Sequence, residues 1–165
     1  LSEFRSLVVA ESREAIVRGR AKKPADSIRR SQILWLRADH HQWAIDRLWD
    51  VAVEANRTYQ YKIDRFQGPV QLAIYDEKNQ GFYRWHMDIA PRSTTRKISI
   101  TMPLNEPSEY EGGNLEFNGA GIPNRVPQQQ GTVITFPSFI LHRVTPVTKG
   151  TRYSMVAWIT GPPWG

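Results

Sequence analysis

The rhythm of apolar and polar positions changes part-way along the chain. Over DHHQWAIDRLWDVAVEANRTY, residues Trp43, Leu48, Ala52, Ala55 and Tyr59 recur at intervals that line one helix face. Asp39 and Gln42 stand three apart and suit an N-terminal capping box, so the pattern predicts the longest helix over 39–59. An earlier stretch, SEFRSLVVAE, carries Phe4, Leu7, Val8 and Glu11 at helical spacing and predicts a short helix. REAIVRG and SQILWLR read as two early strands.

After Tyr61 the period shortens to that of strands separated by turn residues. VQLAIYD and GFYRWHMD flank the loop EKNQ, and RKISITMPLN alternates with Ile98, Ile100, Met102 and Leu104 on one face. GNLEF, GTVITFP, LHRVTPV and TRYSMVAWI follow, for about seven strands after two helices. The expectation is an α+β domain whose sheet folds on itself, with the N-terminal helices packed on one outer face. Residues 1–165 are expected to form a single domain, with 1–60 as a helical lead-in and basic segment and 61–165 as the β core. Two polar stretches, 105–113 and 118–130, are expected to be loops between strands.

Composition narrows the chemistry. With 40% apolar and 23% charged residues the chain has the balance of a globular domain. It has no cysteine, which excludes disulfides, thiol catalysis and iron–sulfur clusters, so any metal must be held by histidine and carboxylate. No apolar run approaches a membrane span, and the expectation is a soluble, cytoplasmic protein; because the chain opens on Leu1 rather than Met, an upstream targeting segment stays open. The net charge of +6 is concentrated between Arg18 and Arg30, where Arg18, Arg20, Lys22, Lys23, Arg29 and Arg30 face a lone Asp26. That segment reads as a solvated basic loop or as a docking surface for an acidic partner.

The candidate chemistry starts from YRWHMD, where His86 and Asp88 stand two apart. Chance alone gives roughly 0.4 such His-x-acid pairs in a chain of this composition, so the pair needs a third partner. His40 and His41, at the predicted helix start, have no carboxylate placed to share a metal with them and read as surface residues. His142 differs, because it lies between two late strands, where a sheet folded on itself can bring it back to His86. On an extended segment His86 and Asp88 point to the same side. Two histidines and one carboxylate on one face of a metal, with the opposite face open, are the ligand set of non-haem Fe(II) oxygenases. Arg152 follows His142 by ten residues, and its guanidinium suits the far carboxylate of a chelating dicarboxylate; Ser154 shares its face by period 2.

The order His86-x-Asp88, His142, Arg152 resembles the Fe(II)/2-oxoglutarate-dependent oxygenase superfamily, and more closely its prolyl 4-hydroxylase-like branch. The likeness is carried by YDEKNQGFYRWHMD, EYEGGNLEF and GTVITFPSFILHRVTPVTKGTRYSMVAW, within residues 70–159. It implies a double-stranded β-helix, or jelly roll, with Fe(II) on His86, Asp88 and His142. It further implies 2-oxoglutarate held by Arg152, Ser154 and Tyr75, and Tyr83 near the substrate entrance. The implied reaction consumes 2-oxoglutarate and O2, yields succinate and CO2, hydroxylates a C–H bond and is supported by ascorbate. One departure stands out: oxygen-sensing animal relatives carry a further tyrosine on the strand occupied here by SITMPLN, and this chain has none there. A peptidyl or free proline leads the substrate expectations, with another amino acid or small molecule behind it. A metal-binding jelly roll without turnover and a zinc or manganese enzyme on the same ligands stay open as alternatives. Nucleic-acid demethylation is disfavoured by the arginine pattern after His142. Trp85 points away from the metal pair by alternation and reads as packing. The expected partner is thus a peptide, protein or small molecule; Trp158, Trp164 and the oligomeric state are not read from sequence.

Overall fold

A computed structural model of the chain describes residues 27–36, 38–91, 93–119 and 122–164. The helix expected over 2–11, the strand expected over 13–19 and most of the basic segment lie outside the described residues.

Helix α1 (Ala38–Tyr59) follows the 3.6-residue pattern and buries Leu48 and Ala52. It begins at Ala38, one residue before the expected capping box, and Gln42 donates to Asp46 Oδ1 (2.8 Å), one turn further on. Trp43, counted on the apolar face, is instead 54% exposed. Tyr59, in the last turn, donates its hydroxyl proton to the carbonyl of Thr135 (3.0 Å) and ties the helix to the sheet below. No helix among the described residues is long and apolar enough to cross a membrane.

The strands form two antiparallel sheets. The larger has the order β10 (Ile134–Pro137), β6 (Arg96–Pro103), β12 (Val147–Thr160), β4 (Gln71–Asp76) and β2 (Gln32–Trp35), with β3 (Arg65–Phe66) and β7 (Tyr110–Gly112) also paired to β12. The smaller runs β1 (Arg29–Arg30), β5 (Phe82–His86), β11 (His142–Val144), β8 (Leu115–Gly119) and β9 (Ile122–Arg125). Both stretches expected to be loops therefore carry strands. Residues 105–113 contain β7 after a 3-10 turn at Pro107–Glu109, and 118–130 contain β9. Each is short; β7 gains its pairing from β12, distant in sequence, which local periodicity does not register, whereas β9 folds back on its neighbour β8 as a short hairpin.

The larger sheet is covered on both faces. Toward α1 it presents Leu72, Ile74, Ile98, Ile100, Met155, Ala157 and Ile159, which form the main core with Leu48 and Ala52. Fully burying one such aliphatic side chain is worth about 1.5–3 kcal/mol. The opposite face, set by the alternation of the same strands, carries Tyr75 on β4, Ser99 and Thr101 on β6, and Arg152 and Ser154 on β12. A smaller core of Ala73, Tyr75, Leu115, Val144 and Val147 joins the two sheets. Polar residues therefore gather between the sheets, where the site is built.

Candidate metal centre and cosubstrate cavity

The β4–β5 hairpin sets the first two ligands. Asp76 caps the 3-10 turn Glu77–Asn79 by accepting from the Asn79 N–H (2.9 Å), and Gln80 turns the chain with φ 48°. At Gly81 an added Cβ would stand 2.8 Å from the Tyr75 Cα, so only glycine permits this close return of the backbone. Strand β5 then ends at His86, and Asp88 lies just past it, its N–H donating to the carbonyl of Ser138 (2.9 Å). His142 opens β11 directly opposite His86 in the antiparallel register.

These residues converge. The ligand-capable atoms of His86, Asp88 and His142 all lie within 4.8 Å of one another. His86 Nε2 stands 3.9 Å from Asp88 Oδ1, and His142 Nε2 stands 3.7 Å from Asp88 Oδ2. The Nδ1 of each ring faces a carbonyl oxygen, that of Arg84 at 2.7 Å for His86 and that of Ile140 at 2.8 Å for His142. With Nδ1 as the donor, each Nε2 keeps its lone pair for a cation. Burial above all, and then His142, pushes the His86 pKa down to about 4, against the opposing pull of the Arg84 carbonyl and Asp88, so the ring is neutral at pH 7. Asp88 is itself held: Ser99 Oγ donates to Oδ2 at 2.6 Å, and Ser138 Oγ lies 3.0 Å from Ser99 Oγ. Two imidazoles with their Nε2 atoms turned to one point and one oriented carboxylate suit a divalent transition metal with an open face.

A cavity of roughly 250 Å³ extends from this cluster between the sheets, lined among others by Tyr75, Tyr83, Thr101, Arg152 and Ser154. Arg152 is 2% exposed. Its NH1 donates to Ser154 Oγ (3.0 Å), its guanidinium carbon lies 5.5 Å from the centre of the Tyr75 ring, and its Nε has no partner. Among the described residues no carboxylate pairs with it. A buried guanidinium in that state costs several kcal/mol unless an anion joins it, so the site fits a ligand carboxylate. Tyr83 stacks on His86, with ring centroids 3.4 Å apart. Trp85 faces the other way, under the Arg143 guanidinium at 4.7 Å.

The structure thus brings His86, Asp88, His142, Arg152, Ser154, Tyr75 and Tyr83 around one cavity. Sequence reasoning gives no role to Ser99 and Ser138, which position Asp88, or to Arg96 and Trp158, which line the cavity; Arg29, counted there in the basic segment, lines the cavity as well. For Ser99 a signal existed, since Ser99 and Thr101 are the polar phase of the strand whose apolar phase was read.

Residues 70–160, more than half of the chain, match the sequence profile of the 2OG-Fe(II) oxygenase superfamily. The chain belongs to this superfamily. A PKHD-type hydroxylase of Picosynechococcus is 46% identical over 110 residues, covering 66% of this chain and 49% of the relative. This oxygenase chain therefore spans about half the length of that curated relative. A prolyl-4-hydroxylase crystal structure from Pseudomonas putida superposes with a TM-score of 0.76 at 23% identity, covering 98% of this chain and 88% of that one. A Trichoplax adhaerens prolyl hydroxylase solved with a hypoxia inducible factor peptide gives 0.72 at 16% identity, covering 95% and 78%. These two likenesses establish the jelly-roll fold of the oxygenase chain.

Proposed function

We propose that this chain is an Fe(II)- and 2-oxoglutarate-dependent hydroxylase acting on a peptidyl or free proline. The observation that carries the proposal is the buried Arg152, without a carboxylate partner among the described residues, facing the same cavity as the His86, Asp88 and His142 cluster. A purely structural metal site has no use for that guanidinium, and neither has a zinc hydrolase. The proline assignment draws on the prolyl hydroxylases that share the fold, one of them solved with a peptide.

His86 and His142 offer Nε2 and Asp88 its carboxylate to the iron, while Ser99 fixes the carboxylate's orientation. Arg152 receives the C5 carboxylate of 2-oxoglutarate, Ser154 holds the guanidinium fork in plane, and Tyr75 closes the cavity wall beside it. Leu115, Phe136 and Val144 supply apolar walls that exclude water from the reacting end. When bound, iron with 2-oxoglutarate and O2 supplies the oxidative decarboxylation to succinate and CO2 and the oxygen that hydroxylates the C–H bond. Ascorbate is proposed as a supporting reductant.

The test is succinate release from 2-oxoglutarate by the purified chain with Fe(II) and ascorbate, with and without a panel of proline-containing peptides and free proline. Iron-dependent turnover, abolished in His86→Ala and stimulated by a proline substrate, is expected. Iron and 2-oxoglutarate binding without any turnover would reduce the chain to a binding module, and stimulation by other compounds alone would overturn the proline assignment.

A further inference from the structure

The charges lining the cavity do not balance, even when its expected occupants are counted. Among the described residues that line it, three arginines, Arg29, Arg96 and Arg152, stand with one carboxylate, Asp88. A divalent iron and dianionic 2-oxoglutarate cancel each other, so two positive charges remain in surplus. Arg152 is assigned to the cosubstrate, which leaves Arg29 and Arg96. Neither forms an ion pair among the described residues.

The two differ in freedom. Arg96 is pinned: its Nε donates to Gln67 Oε1, its NH1 to the carbonyl of Asp88 (3.2 Å), and its guanidinium carbon lies 3.9 Å from the centre of the Trp158 ring. Burial also pushes its pKa below the ordinary value. Arg29 uses only its Nε, on Ser31 Oγ at 2.7 Å, and its two terminal nitrogens make no hydrogen bond among the described residues. It is placed by strand pairing, since Arg29 stands opposite Tyr83 in the β1–β5 register. Its guanidinium carbon lies 4.7 Å from the Tyr83 ring centre, and Tyr83 in turn stacks on His86. Two terminal nitrogens without a hydrogen bond among the described residues are therefore held one aromatic ring away from His86.

We propose that Arg29 is a specificity-determining residue that receives a carboxylate carried by the molecule to be hydroxylated. This inference rests on the hydroxylase reading and adds a substrate class to it: acids, in preference to neutral molecules of the same shape. The carboxylate can belong to a small acid or to an acidic side chain of a peptide, and the guanidinium fork serves both alike.

The test is calorimetric titration of the full chain loaded with Fe(II) and 2-oxoglutarate under argon, so that binding is read without turnover. The probes are N-acetylproline against N-acetylprolinamide, and a proline-containing peptide with one glutamate against the same peptide with glutamine. In at least one pair the acid is expected to bind about tenfold more tightly than its neutral partner, a half-exposed pair being worth less than a buried one. Which pair responds identifies the source of the carboxylate. Arg29→Gln is expected to reduce the preference to within about twofold, and Arg29→Lys, which keeps the charge, to retain most of it. Equal affinity within both pairs, or no binding by any of the four, overturns the proposal. So does a preference that survives Arg29→Gln, or loss of 2-oxoglutarate affinity in that variant with the preference intact, which would assign Arg29 to the cosubstrate. Failure of the unmodified chain to load Fe(II) and 2-oxoglutarate overturns the hydroxylase reading itself, and the loading titration reports that separately.

Discussion

Ser99 Oγ donates to Asp88 Oδ2 at 2.6 Å and holds the carboxylate of the proposed metal site in its orientation. Ser99→Ala is expected to weaken Fe(II) affinity by about 10–100-fold, the usual effect of losing an outer hydrogen bond to a metal ligand, without unfolding the chain. Anaerobic Fe(II) titration measures this, and unchanged affinity would mean that the Asp88 backbone bond to Ser138 alone suffices. Asp88→Ala removes the carboxylate outright and should abolish both binding and turnover. Arg152 makes a sharper case because function and stability pull apart there. Arg152→Ala should weaken 2-oxoglutarate binding by about 2–5 kcal/mol, the cost of truncating one half of a buried charge pair. Arg152→Met should lose the same affinity yet stabilise the ligand-free chain by about 1 kcal/mol or more, since it exchanges an uncompensated buried charge for an apolar side chain. A denaturant titration in which this variant is less stable than the parent would show that the guanidinium also supports the fold.

Strand β12 links the elements: it pairs with β7 over residues 147–150 and with β4 and β6 from Thr151 onward. Between β7 and β8 the chain passes Gly113 at φ 61°, where an added Cβ would stand 2.9 Å from Arg152 Cδ. Gly113→Ala is therefore expected to displace the Arg152 side chain and raise the 2-oxoglutarate KM about tenfold or more, while succinate-forming kcat falls less. Equal 2-oxoglutarate KM values would mean that Arg152 has room to shift. The same region shows where sequence reading stops. His86 and Asp88 were legible because their spacing and strand context are local, and His142 because a chain with four histidines offers few partners. The apolar phase of β6 was legible too, but its alternation does not say that Ile98 and Ile100 face α1 while Ser99 faces the metal ligands. Strands β7 and β9 do not stand out in the sequence because Gly112 and Pro123 are poor strand formers; β7 owes its pairing to the distant β12, and β9 is a short hairpin partner of β8. Arg96 carries no signal because a lone arginine is unremarkable, and Arg29 reads as part of a basic loop or docking surface until its pairing on β1 brings it to the cavity.

At the scale of the whole molecule, the site draws its anchoring groups from opposite sheets. The proposed metal ligands, His86, Asp88 and His142, lie on or beside β5 and β11 of the smaller sheet, whereas Arg152 and Ser154 stand on β12 of the larger. Among the described residues, the core directly between the sheets is the smaller of the two, five buried residues against fourteen on the helix side. A ligand that joins iron at one end to Arg152 at the other would therefore brace the less well packed interface. Any ligand that binds only the folded state at about 100 times its Kd adds about 2.7 kcal/mol. For a chain of this size that corresponds to a Tm increase on the order of 5–10 °C. Fe(II) alone under argon should give part of this shift, and 2-oxoglutarate little without the metal. The two together should give more than the sum of the separate shifts, because the cosubstrate gains its second anchor only when iron is present. Arg152→Ala should keep the iron increment and lose the 2-oxoglutarate increment, and Asp88→Ala should lose both. Differential scanning calorimetry of the three proteins measures these outcomes. If 2-oxoglutarate stabilised Asp88→Ala as strongly as the parent, the cosubstrate would be bound by Arg152 alone, and the bracing of one sheet against the other would be wrong.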